Sequence, residues 1–371
     1  MIYLDHAATT PLRKEALEAM MPFFMEKAAN ASALYAAGRQ ARGAIDTARR
    51  QVAQAVGAHE GEIYFTAGGS EADNWALFGI ARALKEKRHI ITTEIEHHAV
   101  LNSCAALERM GYSVTYIKPD ECGFISPEKV RQAMRSGTGT GLVSVMTANN
   151  EVGTIEPIAE IAAIAHENGA LIHTDAVQAV GHIPINVEKL GVDLLSMAAH
   201  KFYGPKGIGA LYIRSGVHIA NLIYGGEQEK GLRAGTENTS AIVGMGCALE
   251  LACGDMEKES ARIEGLRDSL EESILSRMPS AKINGMRDNR LPGTLHVTFF
   301  GADTNMLLMR LDMEGIAASA GSACAAGAME RSHVIRAMDV PEGADVRFSL
   351  GTENTQEDIR KTVDALCRIL N

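Results

Sequence analysis

The sequence predicts an α/β protein: a mainly parallel sheet with helices on both faces, and a smaller α+β unit beside it. Three observations carry this. Short apolar runs alternate with helix-period segments between residues 60 and 215. The style changes near Asp255, where longer helices and isolated strands take over. The 371 residues suffice for one large domain with a full core and a smaller second one.

The elements follow in order. Residues 63–65 read as a strand, followed by a helix over 71–84. Strands at 90–92 and 114–116 flank a helix over 98–110. A helix over 127–134, a strand over 142–146 and a helix over 158–168 come next, with Gly169 as the helix stop. Residues 170–173 form a buried strand that runs to Asp175, and 192–197 another. Beyond Asp255 come a helix (256–278), a strand (295–300), a helix (304–314), a strand (346–350) and a last helix (356–370). The division expected is a large domain over 16–254. A small domain is expected over 1–15 and 255–371.

Bulk properties exclude several classes. With 46% apolar and 22% charged residues, disorder is not indicated. A net charge of −10 without a basic run argues against nucleic acid as a partner. No apolar stretch approaches the span of a bilayer, and the polar start lacks a secretory core, so a cytoplasmic protein is expected. The six cysteines show no metal-ligand spacing, and no metal is expected.

In open α/β sheets, ligands bind beyond the carboxyl ends of the strands. Four groups of residues fall at such ends. Thr66-Ala67-Gly68-Gly69-Ser70 precedes a helix, where small residues and the helix terminus suit a phosphate; an ordinary turn capped by Ser70 is the commoner use of such residues. Asp175, with Gln178, follows an apolar strand. A carboxylate there can pair with a protonated ring nitrogen, or simply cap a turn. Lys201, in His200-Lys201, stands behind an apolar strand and before a Gly/Pro turn. It is better placed than its rival Lys206 to be desolvated and to form a Schiff base. Cys324 lies among small residues from Ala317 to Gly327. That suits a mobile loop carrying a thiol, or a packed turn with a buried cysteine.

Taken in order, these motifs resemble the class V aminotransferase family of fold-type I pyridoxal-5′-phosphate (PLP) enzymes, and within it the NifS/IscS group of cysteine desulfurases. The resemblance rests on Tyr3 to Thr10, Asn30-Ala31-Ser32, Phe65 to Asn74, Glu96 to Val100 and Asn149 to Gly153. It continues through Asp175 to Gln178, His200 to Gly209, Arg233 to Thr236, Ser319 to Cys324 and Arg347 to Gly351. It implies a seven-stranded-type main sheet, with PLP bonded to Lys201. Asp175 would pair with the pyridinium and His97 stack on the ring. Gln178 and Asn150 would lie near the ring hydroxyl. Gly69, Ser70 and His200 would hold the phosphate, with Thr236 contributed by the neighbouring subunit of a homodimer. Arg347 and Asn150 would bind the substrate carboxylate. Cys324 would be the nucleophile and His97 a proton partner, while His98 has a structural role.

The implied reaction converts L-cysteine to L-alanine and leaves a persulfide on Cys324 for a sulfur-acceptor protein, an iron–sulfur scaffold or a tRNA-thiolation carrier. Selenocysteine lyase activity, another class V reaction such as transamination, and a catalytically silent scaffold are the alternatives. The chain departs from the family's frequent pattern at Ala198, where a hydroxyl residue is common. It also departs at Gly69-Ser70, Tyr35 and Ala29.

Overall fold

The computed structural model describes residues 1–84, 86–137, 139–321 and 331–370. The chain opens with β1 (Ile2–Tyr3), α1 (Lys14–Met25), α2 (Ala36–Val56) and β2 (Ile63–Thr66). α3 (Gly69–Ala83), β3 (His89–Thr93), α4 (His98–Arg109), β4 (Ser113–Ile117), α5 (Pro127–Ser136) and β5 (Thr140–Ser144) follow. Next come α6 (Ile158–Glu167), β6 (Leu171–Asp175), α7 (Val187–Leu190), β7 (Leu194–Ala198), β8 (Gly209–Ile213) and α8 (Thr239–Gly254). The remainder is α9 (Met256–Arg277), β9 (Ala281–Asn284), β10 (Thr294–Phe299), α10 (Thr304–Met313), β11 (Ile316–Ala317), α11 (His333–Ala337), β12 (Ala344–Ser349) and α12 (Gln356–Leu370).

The main sheet has seven strands in the order β2-β8-β7-β6-β5-β3-β4. β8 runs antiparallel to both its neighbours, and the other pairs are parallel. Its inner strands are buried on both sides. Ile90, Leu142 and Leu194 enter one apolar cluster, and their chain neighbours Ile91, Val143 and Leu195 enter another. That is the period-2 alternation of a sheet covered on both faces. α8 packs closely on α1 and α2 because its glycines allow it. A Cβ on Gly244 would lie 2.5 Å from Met20 Sδ, and one on Gly246 would lie 2.8 Å from Ala48 Cα.

A second, antiparallel sheet, β12-β10-β9, carries its own core with α9, α10 and α12, including Leu270, Val297, Phe348 and Leu366. The N-terminus joins it: β1 pairs with β11, and Leu4 lies in that core. Residues 4–13 then run as a strap between the two sheets. The strap bonds Ser349 on one side, and His200 and Tyr203 on the other. No helix among the described residues is long and apolar enough to cross a membrane.

Candidate active site

β6 and β7 lie side by side in the sheet, with Asp175 opposite Ser196, so their carboxyl ends present Asp175 and the turn holding Lys201 together. Lys201 Nζ donates to the carbonyls of Ala7 and Ala8 in the strap. Gln178 Nε2 donates to the same Ala7 carbonyl at 2.9 Å. Asp175 is buried and accepts the Val177 N–H at 2.9 Å. Burial raises its pKa to about 6, against the lowering effects of that N–H and of Lys201.

His97 caps α4. Its Nδ1 accepts the Ala99 N–H at 3.1 Å, so the neutral ring carries its proton on Nε2. Burial first, then Lys201 and the neighbouring histidines, lower its pKa to about 4, so it is neutral at pH 7. Asp73 on α3 is a residue that sequence reasoning missed. Its carboxylate, that of Asp175 and the His97 ring offer atoms all within 4.8 Å of one another. Burial, and then the charge of Asp175, push the Asp73 pKa well up; its Oδ1 makes no hydrogen bond and lies 3.6 Å from His173 Nε2. Glu96 is equally dry. It accepts from Thr93 Oγ1 and the Met146 N–H, its Oε2 is unpartnered, and burial raises its pKa to about 8. An acid at mid-helix beside Ala72, Trp75 and Ala76 was the available signal for Asp73.

The other end of the site is open. A cavity of about 480 Å³ is lined by Thr9, residues 67–71, His200, Lys206 and Gly207. Gly68 starts α3 at φ 156° and ψ −177°, a conformation essentially confined to glycine. A Cβ on Gly69 would lie 2.7 Å from Val177 Cγ2, so a larger residue does not fit there unless Val177 moves. With Ser70 in the first turn, the start of α3, whose first N–H groups have no partner within the helix, borders this cavity. His200 Nδ1 is 3.2 Å from Thr9 Oγ1, and its pKa is lowered to about 4 by burial, Lys201 and Lys206. Thr236 is exposed and does not line this cavity.

Arg347 on β12 is 1% exposed. Its guanidinium bonds the Asn150 carbonyl and Asp5 Oδ1, each at 2.8 Å, and leaves Nε buried without a partner. Asn150 Oδ1 is also buried and unpartnered. Two residues joined through the Asn150 main-chain carbonyl thus each keep one open polar atom, a donor on Arg347 and an acceptor on Asn150.

Cys324 lies outside the described residues. Before it, Ser319 and Arg347 exchange both main-chain hydrogen bonds. After it, Arg331 forks onto Asp345. His333 Nε2 donates to the Glu96 carbonyl at 2.9 Å, and the His98 ring stacks edge-on against His333. Among the described cysteines, burial leads in raising the pKa of Cys104, to about 12, and of Cys122, Cys247 and Cys253. None of these four is poised as a thiolate.

Comparison with known proteins agrees with this geometry. The class-V aminotransferase family matches residues 2–362. "Cysteine desulfurase IscS" of Dictyoglomus turgidum is 50% identical over 373 residues, covering 100% of this chain and 94% of that protein. A solved "NifS-like protein" superposes with a TM-score of 0.93 at 38% identity, covering 100% of this chain and 99% of its own. A structure titled "SspA in complex with cysteine" gives 0.83 at 39% identity, covering 94% and 99%. The chain belongs to the class-V aminotransferase family, among its NifS- and IscS-like cysteine desulfurases, and has their fold-type I architecture.

Proposed function

We propose that this protein is a PLP-dependent cysteine desulfurase that converts L-cysteine to L-alanine and retains the sulfur as a persulfide on Cys324. One observation carries the reading. Lys201 and Asp175 stand at adjacent strand ends with neutral His97 within 4.8 Å of Asp175, and the segment leading to Cys324 is hydrogen-bonded to the main chain of Arg347.

The residues present fit PLP. Lys201 offers an amine for its aldehyde, and Asp175 a buried carboxyl for its ring nitrogen. Asn150 Oδ1 is an open acceptor, and Gly69, Ser70 and His200 line a cradle for its phosphate. When bound, the cofactor supplies an electron sink for charge developing at the substrate. A cation opposite Asp175 favours its carboxylate and draws its pKa down from about 6. His97, with Nδ1 occupied, has its proton at Nε2. Lys201, when not bonded to the cofactor, is returned by the Ala7 and Ala8 carbonyls to a fixed place where Nζ can move a proton. Arg347 offers Nε to the substrate carboxylate. The Cys324 thiolate attacks the substrate sulfur; the carbon–sulfur bond breaks, and the carbon left behind takes up a proton to give alanine.

A homodimer completes the site. Leu17, Met21 and Phe24 share one face of α1 and are 43%, 47% and 55% exposed; Leu34 is 91% and Tyr224 75% exposed. A second copy covering this face would bring its Thr236 to the phosphate cradle. The decisive experiment supplies L-cysteine and PLP and measures alanine and sulfide together. Wild type forms both, and Cys324→Ala forms sulfide only at background while still binding PLP. Undiminished sulfide from Cys324→Ala would overturn the mechanism.

A further inference from the structure

The two groups that must flank one substrate, Lys201 and Arg347, stand on different sheets. Their relative position is therefore set by the strap, which bonds both sides, and by direct ties from the Lys201 turn to the chain after β12. Tyr203, two residues beyond Lys201, makes one such tie with its side chain. Its phenol oxygen accepts the N–H of Thr352 at 2.9 Å, five residues beyond Arg347. Its ring is buried, 5% exposed, with the Arg13 guanidinium 5.6 Å from its centroid and the His6 ring at 6.2 Å.

The main chain of Tyr203 is held just as firmly. Its N–H donates to Thr10 Oγ1 at 2.7 Å, and its carbonyl accepts the Arg13 N–H at 3.0 Å. These bonds hold it at φ 65°, a left-handed conformation where glycine costs least. A large aromatic residue occupies that position, so the side chain has a use there that glycine lacks. The facing segment leaves no slack. A Cβ on Gly351 would fall 2.2 Å from His6 Cδ2 and 2.6 Å from the Tyr203 oxygen. A parallel link runs through the main chain: His182 Nε2 bonds the Lys201 carbonyl at 2.7 Å, and Ser260 of α9 bonds the His182 carbonyl at 2.9 Å.

We infer that Tyr203 is a positioning residue that holds the Lys201 turn in register with the segment carrying Arg347, through its phenol oxygen and the Thr352 amide. This inference rests on the desulfurase reading for its substrate, but the tie itself belongs to the polypeptide. Tyr203→Phe removes one oxygen and keeps the ring, the burial and the left-handed backbone. It leaves the Thr352 N–H without its partner.

The test compares wild type and Tyr203→Phe in two arms. In the first, hydrogen exchange is followed on the cofactor-free protein. Peptides covering 199–204 and 349–354 exchange about tenfold faster in the variant, while those from β3 and β5 are unchanged. In the second, steady-state kinetics with L-cysteine show KM raised about five- to tenfold, with PLP retention within twofold of wild type. A merely structural role would lower the unfolding temperature and leave KM and the local exchange pattern alone. Tyr203→Gly, which relieves the backbone but removes the ring, should show the same KM increase. Unchanged exchange at both segments together with unchanged KM in Tyr203→Phe overturns the inference. Absence of alanine formation by wild type would overturn the desulfurase reading instead, and the exchange arm would still decide whether Tyr203 forms the tie.

Discussion

The two ends of the site are built on opposite physical terms. At one end Asp175, Asp73, Glu96 and His173 are almost wholly removed from water, and their ionisation departs far from ordinary values. At the other, Thr9, Ser70, His200 and Lys206 border an open cavity beside the start of α3. In the dry end the protein itself determines which groups carry charge, because there is no solvent to compensate. In the open end several donors line one cavity, and of these His200 alone is held neutral, by burial and by Lys201 and Lys206. Substitutions should therefore cost much in the first and little in the second.

The largest effect expected tests the dry end directly. Asp175→Asn keeps the shape but cannot pair with a cation, a loss of about 2–3 kcal/mol for a charge-assisted contact. PLP retention or alanine formation should fall roughly 10²-fold, measured by equilibrium dialysis and turnover. A loss under threefold would erase the contrast between the two ends.

Glu96→Gln sharpens it through pH. The Glu96 carboxyl is raised from an ordinary 4.5 to about 8, chiefly by burial, so the native state holds a proton that the unfolded chain has released. Stability from this group is thus lost as pH climbs from about 4.5 to about 8. Glutamine mimics the protonated acid and keeps the acceptor for Thr93 and Met146. Cofactor-free wild type and Glu96→Gln should unfold alike near pH 4.5, and the variant should gain up to a few kcal/mol by pH 8. Parallel thermal unfolding curves across that range would show that Glu96 is ionised throughout.

Gly69→Ala probes the border of the open end, where Val177 Cγ2 leaves no room for a methyl. Overpacking of about 1–3 kcal/mol should weaken PLP retention about tenfold, and Val177→Ala in the same chain should restore it. Failure of that rescue would place the cost in the backbone of the loop. The smallest change expected is in Ala198→Ser, which adds one hydroxyl at a buried position behind Gly69, a residue that lines the cradle. Net gains near 1 kcal/mol imply PLP binding tighter by about fivefold or less. A hundredfold gain would show that the open end depends on single contacts after all.

Much of this was legible in the sequence. The apolar runs ending at Thr66, Asp175 and Ala198 marked the strands, because a sheet buried on both faces leaves continuous apolar segments bounded by glycine and polar residues. α8 was not legible, and α2 was passed over. The inward face of α2 carries Ile45, Val52 and Val56 among Ala41, Ala48 and Ala53 at helical spacing, so its period was present in the residues. α8 is apolar on most sides because it is buried against α1, α2 and the site turn. β8 was hidden behind Gly207 and Gly209, which read as a turn continuing past Lys201.

The sequence by itself determined the family, the fold class and the ordered set of chemical groups, because residue type and spacing along the chain carry that information locally. The tertiary structure decided which of those groups are charged and which are tied together. Desolvation and hydrogen bonding depend on neighbours that the chain brings from far apart. Asp73 meets Asp175 across 102 positions only when α3 packs on the sheet. Arg347 finds Asp5 and Asn150, and Tyr203 finds Thr352, only once the strap and the second sheet close over the Lys201 turn.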